Sequence, residues 1–281
     1  MNTPSDPTPP RNAERRARAR FDSMKVWEEA SGALLANREV LLAVMGVFVI
    51  LPSFALAQFW PLPMPDKAQS SEQLLESWGT FFSANWPFYV AAMLVGMFGM
   101  LAALVMLGDP ARPTVSQALR QALRGLPAFL VALLAAHAIS LLAGFIPATF
   151  IAMLGSSALT LFAATGAFVL ILYVMVRFVF IGPIVMLDGQ RNPAQALQVS
   201  FRATKGIGWQ LLVFMLLIYF AFFVVGWLAE GGFALVAALI AGSEGSRLAA
   251  GLVGSAVQGA LDATFVAVIA ASYRQLGAPA R

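Results

Sequence analysis

Long apolar segments follow one another along most of the chain, and they constrain the fold more than any other feature. Each is about 20 residues or longer, which is the length that an α-helix needs to cross the hydrocarbon core of a bilayer. Only 11% of the 281 residues are charged, whereas a soluble domain carries about 25%. The sequence therefore predicts an all-α, polytopic integral membrane protein with six transmembrane helices, and it argues against a soluble enzyme or a nucleic-acid-binding domain. The predicted spans are 40–60, 87–107, 126–148, 158–187, 209–229 and 248–272.

Basic residues are distributed unevenly among the segments between these spans. Seven Lys and Arg precede the first span, three lie in 108–125, three lie in 188–208 and two follow the last span, while the alternate loops hold only Lys67 and Arg247. Because Lys and Arg accumulate in cytoplasmic loops, both termini are predicted to be cytoplasmic. The predicted organisation is a disordered basic tail at 1–25, a transmembrane domain at 26–276 and a short cytoplasmic tail at 277–281.

Residues that could hold a metal ion or form a covalent intermediate are scarce. The chain contains no cysteine and a single histidine. A thiol nucleophile, a disulfide and a cysteine-bearing metal site are therefore excluded, and so is a cluster of histidine ligands within one subunit. We expect neither a metal nor a cofactor.

Three segments that precede predicted spans resemble one another. The first two align without a gap at an offset of 88 residues, which pairs Ala30 with Ala118, and the third pairs Ala196 with Ala118. Each is predicted to be an amphipathic cytoplasmic helix that ends where a left-handed residue is tolerated, at Asn37, Gly125 or Gly206. The chain then reads as three units, each an interfacial helix followed by a transmembrane hairpin. The similar segments are 27–42, 115–130 and 194–212.

Cations on the second and third of these helices are candidate contacts for lipid head groups. They are Arg120, Arg124, Arg202 and Lys205. The apolar faces of the same helices, formed by Leu119 with Leu123 and by Leu197 with Phe201, would lie against the bilayer, and the cations would face anionic head groups. Alternatively, the helices only cap the bundle.

Three segments between the predicted spans allow more than one structure. In the outer segment 61–86, Ser70 and Ser71 precede apolar residues at helical spacing, which predicts a short helix on the outer leaflet or a plug on the bundle. Residues 149–154 extend the third span or form a turn, and 233–241 continue the fifth span or lie at the interface.

Ionisable side chains inside the predicted spans are candidate functional residues, because such groups are costly in hydrocarbon and usually face a bundle interior. They are His137, Arg177 and Asp262, with Gln258 one helical turn before Asp262. Counted along the helices, all lie at a similar depth, so they could form one polar site that binds a head group or passes a proton. The alternative is an ion pair between Arg177 and Asp262 that locks two helices, with His137 as a hydrogen-bonded core residue.

Small residues four apart in the last span, including Gly251, Ser255 and Gly259, predict a central helix that packs closely against its neighbours.

Residues 177–214 carry a longer pattern: an Arg-bearing span that ends in proline, an acidic residue, a Pro-x-x-Ala-Leu helix, a Ser-x-x-x-Thr-x-Gly run and an aromatic residue that begins the next span. The matching residues are Arg177, Pro183, Asp188, Pro193, Ala196, Leu197, Ser200, Thr204, Gly206 and Trp209, followed near the end by Tyr273 and Arg274. This pattern resembles the membrane region of some glycerophosphoryl diester phosphodiesterases and of related YciC-like bacterial inner-membrane proteins. Asp188 stands where that family usually has glutamate.

The resemblance implies a fold and a location in the bacterial inner membrane. It does not imply hydrolysis, because the chain contains no phosphodiesterase domain. We therefore expect a non-enzymatic inner-membrane protein that interacts with lipids or scaffolds partners, such as a second copy or another membrane protein. The alternative is a small transporter with a polar site near the bilayer midplane.

Overall fold

The computed structural model describes residues 21–63, 70–153 and 156–277, and all secondary structure in these ranges is helical. Five segments are long and apolar enough to cross a membrane, which confirms the all-α prediction and fits a polytopic membrane protein: Arg38–Phe59, Glu72–Gly108, Val115–Ala152, Ser157–Met186 and Gly208–Gln275. In chain order, the helices are α1 (Ser23–Ala36), α2 (Arg38–Phe59), α3 (Ser71–Gly108), α4 (Val115–Ala152), α5 (Ser157–Arg177), α6 (Ile181–Met186), α7 (Pro193–Ala203) and α8 (Gly208–Gln275).

Helix α8 spans 68 residues and is a hairpin of two arms, 208–241 and 243–275. Gly242 separates the arms with φ 70° and ψ −159°, a conformation that suits glycine because it lacks a Cβ. A Cβ placed on Gly226 would lie 2.9 Å from Cγ1 of Val257. In a straight helix these two residues would be about 46 Å apart. The arms therefore lie side by side, and 233–241 continue the first arm, as one of the two predictions had it.

Helix α3 continues through Pro87, so the prediction of a separate helix on the outer leaflet is wrong. Ser70 and Gln73 cap its start reciprocally, and the helix then runs without interruption to Gly108. Beyond the proline, the helix is fixed to the end of α2, because Phe88 stacks on Trp60 at 4.1 Å between ring centroids and the hydroxyl of Tyr89 donates to the Trp60 carbonyl at 2.6 Å.

Helix α4 joins the second predicted interfacial helix to the third span in one segment of 38 residues. The predicted helix end at Gly125 is wrong, because this glycine is helical and a side chain there would overlap Met186. Of the other two predicted ends, Gly206 has φ 88°, whereas Asn37 has φ −116° and is not left-handed. At its far end, α4 runs to Ala152, so it extends the third span as one alternative predicted.

The second arm of α8 packs closely against α2, which confirms the predicted role of its small residues. A Cβ on Gly259 would lie 2.5 Å from Ile50, and one on Gly251 would overlap the side chain of Gln58. Ser255 is buried between them. Small side chains at these positions let the two helices approach.

One end of the bundle collects α1, the 109–114 loop, α6, α7 and the C-terminus of α8, and we call it the basic end. Arg274 joins three elements there, because it donates to the Leu107 carbonyl at 2.7 Å and pairs with Glu29 at 2.7 Å. Helix α1 begins at Ser23 within the predicted tail, whereas residues 1–20 of that tail and 278–281 of the C-terminal tail lie outside the described residues.

Candidate functional site

Arg177 lies at the C-terminus of α5 rather than in the middle of a span. The predicted fourth span is divided here, because a tight turn at 178–180 separates α5 from α6. The turn is held by hydrogen bonds three residues apart, from the Phe178 N–H to the Met175 carbonyl and from the Ile181 N–H to the Phe178 carbonyl. The turn carries the Arg177 side chain towards α7.

The guanidinium of Arg177 is buried and binds α7. Its Nη2 donates to the carbonyl of Phe201 at 2.5 Å, its Nη1 lies 3.5 Å from the Tyr173 hydroxyl, and its Cζ lies 4.0 Å from the centre of the Phe201 ring. Its Nε is buried without a hydrogen-bond partner. The positive charge is thus stabilised by a carbonyl dipole and an aromatic face.

The backbone of Arg177 is bound from the same side. The hydroxyls of Ser200 and Thr204 both donate to the Arg177 carbonyl at 3.1 Å, and the Phe180 N–H donates to Ser200 Oγ at 3.2 Å. Both hydroxyl residues are fully buried. Helix α7 therefore satisfies backbone groups that the turn removes from the regular helix, and Arg177 has a structural role.

The predicted ion pair between Arg177 and Asp262 is not formed, and this expectation is wrong. Asp262 instead accepts a hydrogen bond from Gln258 Nε2 at 3.0 Å on its own helix. Among the residues that the structure describes, the single ion pair is Arg274 with Glu29. Gln258 and Asp262 were correctly placed on one face of the last span, but neither reaches the other two candidates.

His137 is exposed on the outer face of α4, and the expectation of a core histidine is wrong. Its Nδ1 donates to the Leu133 carbonyl of the same helix at 2.8 Å. The neighbouring positions Ala136 and Ser140 are the ones that face the protein. His137 borders a groove of about 200 Å³ that is otherwise lined by apolar residues of α4, α5, the turn at 178–180 and the start of α6.

A cleft between the two arms of α8 is bordered by one member of the polar pair of the last span, Gln258, and not by Asp262. It has a volume of about 210 Å³ and is bordered by Gln258 and by Glu230, whose carboxylate lies beside Gly254. Glu230 was missed because it follows the predicted end of the fifth span by one residue. The four predicted residues are thus spread over α4, the α5–α7 junction and α8, and no single polar site assembles from them.

The predicted lipid-contacting cations lie at the basic end, and all four are exposed: Arg120, Arg124, Arg202 and Lys205. Arg120 and Arg124 border a cavity of about 470 Å³ between the start of α4 and the segment that follows α6. Arg191 borders the same cavity. In the sequence, Arg191 is one of three basic residues between two predicted spans, and no local pattern indicates that it lies beside α4.

The alanines that align among the three repeats have the same environment. Ala30, Ala118 and Ala196 are all 0% exposed. Since alanine allows close approach of a helix, each repeat docks this position against the bundle. Leu123 and Phe201 are exposed on the outer side of the same helices. One face of each helix therefore packs on the bundle, and the opposite face presents an apolar side chain outward.

Across the described ranges, no group of three or more His, Asp or Glu side chains is placed to hold a metal ion. Searches of protein family models, of curated proteins and of solved structures find no match to this chain. The resemblance of residues 177–214 to the phosphodiesterase-associated and YciC-like membrane proteins therefore stays a prediction.

Proposed function

We propose that this protein is a non-enzymatic, six-span protein of the bacterial cytoplasmic membrane that binds anionic lipids at its basic end. The observation that carries the proposal is the exposure of Arg120 and Arg124 on α4, of Arg202 on α7 and of Lys205 in the turn that follows α7, since α4 and α7 pack against each other. Each Lys or Arg near an anionic surface contributes about 1 kcal/mol to attraction. The six spans are α2, α3, α4, the α5–α6 pair and the two arms of α8.

The charge difference between the two ends supports a cytoplasmic basic end. The opposite end carries the acids Glu72, Glu76, Glu230 and Glu244, and Arg247 is its one base among the described residues. Under the positive-inside rule, the end with more Lys and Arg stays in the cytoplasm. Both termini would then be cytoplasmic, since the first and last described helices meet at the basic end.

Single cysteines test this orientation, and the natural chain has none to interfere. Gln73→Cys, near the start of α3, is expected to react with a membrane-impermeant maleimide added to intact spheroplasts. Gln117→Cys, near the start of α4, is expected to react only after the membrane is permeabilised. Labelling of Gln117→Cys but not Gln73→Cys in intact spheroplasts would invert the orientation.

Native mass spectrometry tests lipid binding. The full-length protein is released from micelles with phosphatidylglycerol, which is anionic, or phosphatidylcholine, which is zwitterionic. Wild type should retain phosphatidylglycerol preferentially, and replacing the four cations by glutamine should reduce its retention about tenfold or more. Arg247→Gln, at the opposite end, is the matched control and should retain lipid like wild type. Equal retention by the four-cation variant and wild type would refute the proposal.

Transport is not part of this proposal, because the geometric basis for that alternative is missing. It required His137, Arg177 and Asp262 to meet near the bilayer midplane. In the structure, His137 is exposed on α4 and Arg177 binds the Phe201 carbonyl of α7.

A further inference from the structure

The cavity at the basic end is lined by charged and amide side chains on one side and by a chain turn on the other. Helix α4 contributes Gln117, Arg120, Gln121 and Arg124. The last residue of α6, Met186, and the segment that follows it contribute Met186–Gly189 and Arg191. Three guanidinium groups from two parts of the chain therefore border one volume of about 470 Å³.

The positive charge of this cavity is not balanced by the described residues. None of Arg120, Arg124 and Arg191 forms an ion pair with a described carboxylate, since Arg274 and Glu29 form the single pair there. Asp188 is the one acid that borders the cavity, and it accepts a hydrogen bond from the Tyr273 hydroxyl. Like charges near one another repel, so an anion bound among them would stabilise the arrangement.

The wall that carries Arg191 is held against α4. Gln121 Nε2 donates to the Met186 carbonyl at 2.6 Å. Gly125 permits close approach, because a Cβ there would overlap Met186 and lie 2.7 Å from Nη1 of Arg191. The turn itself uses Gly189 with φ 70°. The side chains that border the cavity are thus presented by a fixed backbone, which reduces the entropy lost on binding.

We propose that this cavity is a binding site for one phosphate group, with Arg120, Arg124 and Arg191 as its ligands. The guanidinium group presents a planar fork of donors that matches phosphate oxygens, and the glutamine amides can donate to the same oxygens. A phospholipid head group and free inorganic phosphate share this chemistry. The lipid is the expected source, because Arg124 directly precedes the apolar part of α4. This inference rests on the proposed lipid binding and assigns it to one site.

The experiment compares Arg191→Gln with Arg202→Gln in the full-length protein. Both changes remove one exposed cation from the basic end, but only Arg191 borders the cavity. Binding of dioleoylphosphatidic acid, a phosphomonoester, and of dioleoylphosphatidylglycerol, a phosphodiester, is measured by lipid titration and native mass spectrometry. Arg191→Gln should weaken the affinity for the bound lipid about tenfold or more, as expected for loss of a charge-assisted hydrogen bond. Arg202→Gln should weaken it about fivefold or less, which is the contribution of one cation near an anionic surface.

A conservative variant and a second cation keep the result interpretable. Arg191→Lys retains the charge but not the fork, so its affinity should fall between wild type and Arg191→Gln. Arg120→Gln removes another cation that borders the cavity and should also weaken binding. It replaces Arg191→Gln in the comparison if that variant does not fold. A separate titration uses inorganic phosphate. If phosphate competes with the lipid, the two share one phosphate site. If phosphate binds and the lipid does not, the site is supported with the free anion as its occupant.

Two outcomes would overturn the inference in different ways. Equal losses in Arg191→Gln and Arg202→Gln would show diffuse attraction by the whole basic end, which refutes the site but leaves the proposed lipid binding intact. Absence of any loss, in these variants and in the four-cation variant, would refute both.

Discussion

Replacing Arg177 by methionine tests whether α7, rather than Asp262, holds this buried charge. Methionine keeps much of the side-chain volume and removes the hydrogen bond to the Phe201 carbonyl and the contact with the Phe201 ring. A hydrogen bond from a charged donor contributes about 1.5–3 kcal/mol, and a cation over an aromatic ring about 0.5–2 kcal/mol.

Two features of the structure reduce the expected loss. The Phe201 carbonyl also accepts from the Thr204 hydroxyl at 3.2 Å, so it keeps a partner. The buried Nε of Arg177 has no partner, and its removal relieves a desolvated donor. We therefore expect Arg177→Met to lower the free energy of unfolding by about 2–3 kcal/mol. Arg202→Met, on the exposed side of α7, is the matched control and should lower it by less than about 0.5 kcal/mol.

The double variant with Asp262→Leu supplies the decisive comparison. The two residues share no hydrogen-bond partner, so their effects should add to within about 0.5 kcal/mol. The free energy of unfolding is measured by SDS titration in mixed micelles, followed by circular dichroism. If the loss of stability in the double variant were smaller than the sum of the changes in Arg177→Met and Asp262→Leu by 1 kcal/mol or more (about twice that tolerance), Asp262 would be the partner of Arg177, and the assignment to α7 would be refuted.

Two further predictions concern the hairpin of α8 and the glycine contact of α4. Cysteines at Gly226 and Val257 should form an intramolecular disulfide on mild oxidation, seen as a gel shift that reductant reverses. A Cβ on Gly226 would lie 3.8 Å from the Cβ of Val257, which is near the usual Cβ–Cβ separation in disulfides. Failure to form the disulfide would contradict the hairpin. Gly125→Ala should lower the melting temperature, because overpacking against Met186 costs about 1–3 kcal/mol. Gly32→Ala is the control: a Cβ there meets nothing within 4 Å, so its melting temperature should equal or exceed that of wild type. A lower melting temperature for Gly32→Ala than for Gly125→Ala would contradict the contact between Gly125 and Met186.

The sequence predicted the apolar helices well because their length and composition are local properties. It did not predict that α4 continues through Gly125, because the conformation of that residue depends on Met186, which packs against it from another helix. A glycine before an apolar run is as compatible with a helix end as with a close contact. The continuity of α3 through Pro87 was missed for a similar reason, since Trp60 of the preceding segment fixes it.

The partner of Arg177 could not be found from sequence because it is a backbone carbonyl. Every residue carries such a group, so only the position of α7 selects Phe201. Asp262 was the natural candidate as an acid in a span, yet its hydrogen bond is to Gln258 on its own helix. The cavity at the basic end was missed in part, since Arg120 and Arg124 were identified by helical position whereas Arg191 lies in a loop.

The contact between α1 and the end of α8 has a consequence for how the protein is made. The Asp22 N–H donates to Gln275 Oε1 at 3.1 Å, and Gln275 Nε2 donates back to the Asp22 carbonyl at 3.2 Å. A ribosome adds about 5–20 residues per second, so Gln275 is synthesised about 10–50 s after Asp22. During that interval α1 lacks its partner and its apolar face, which includes Val26 and Ala30, is uncovered. The first helix of the nascent chain is thus among the last to reach its native position, and premature termination near the end of translation would leave it undocked.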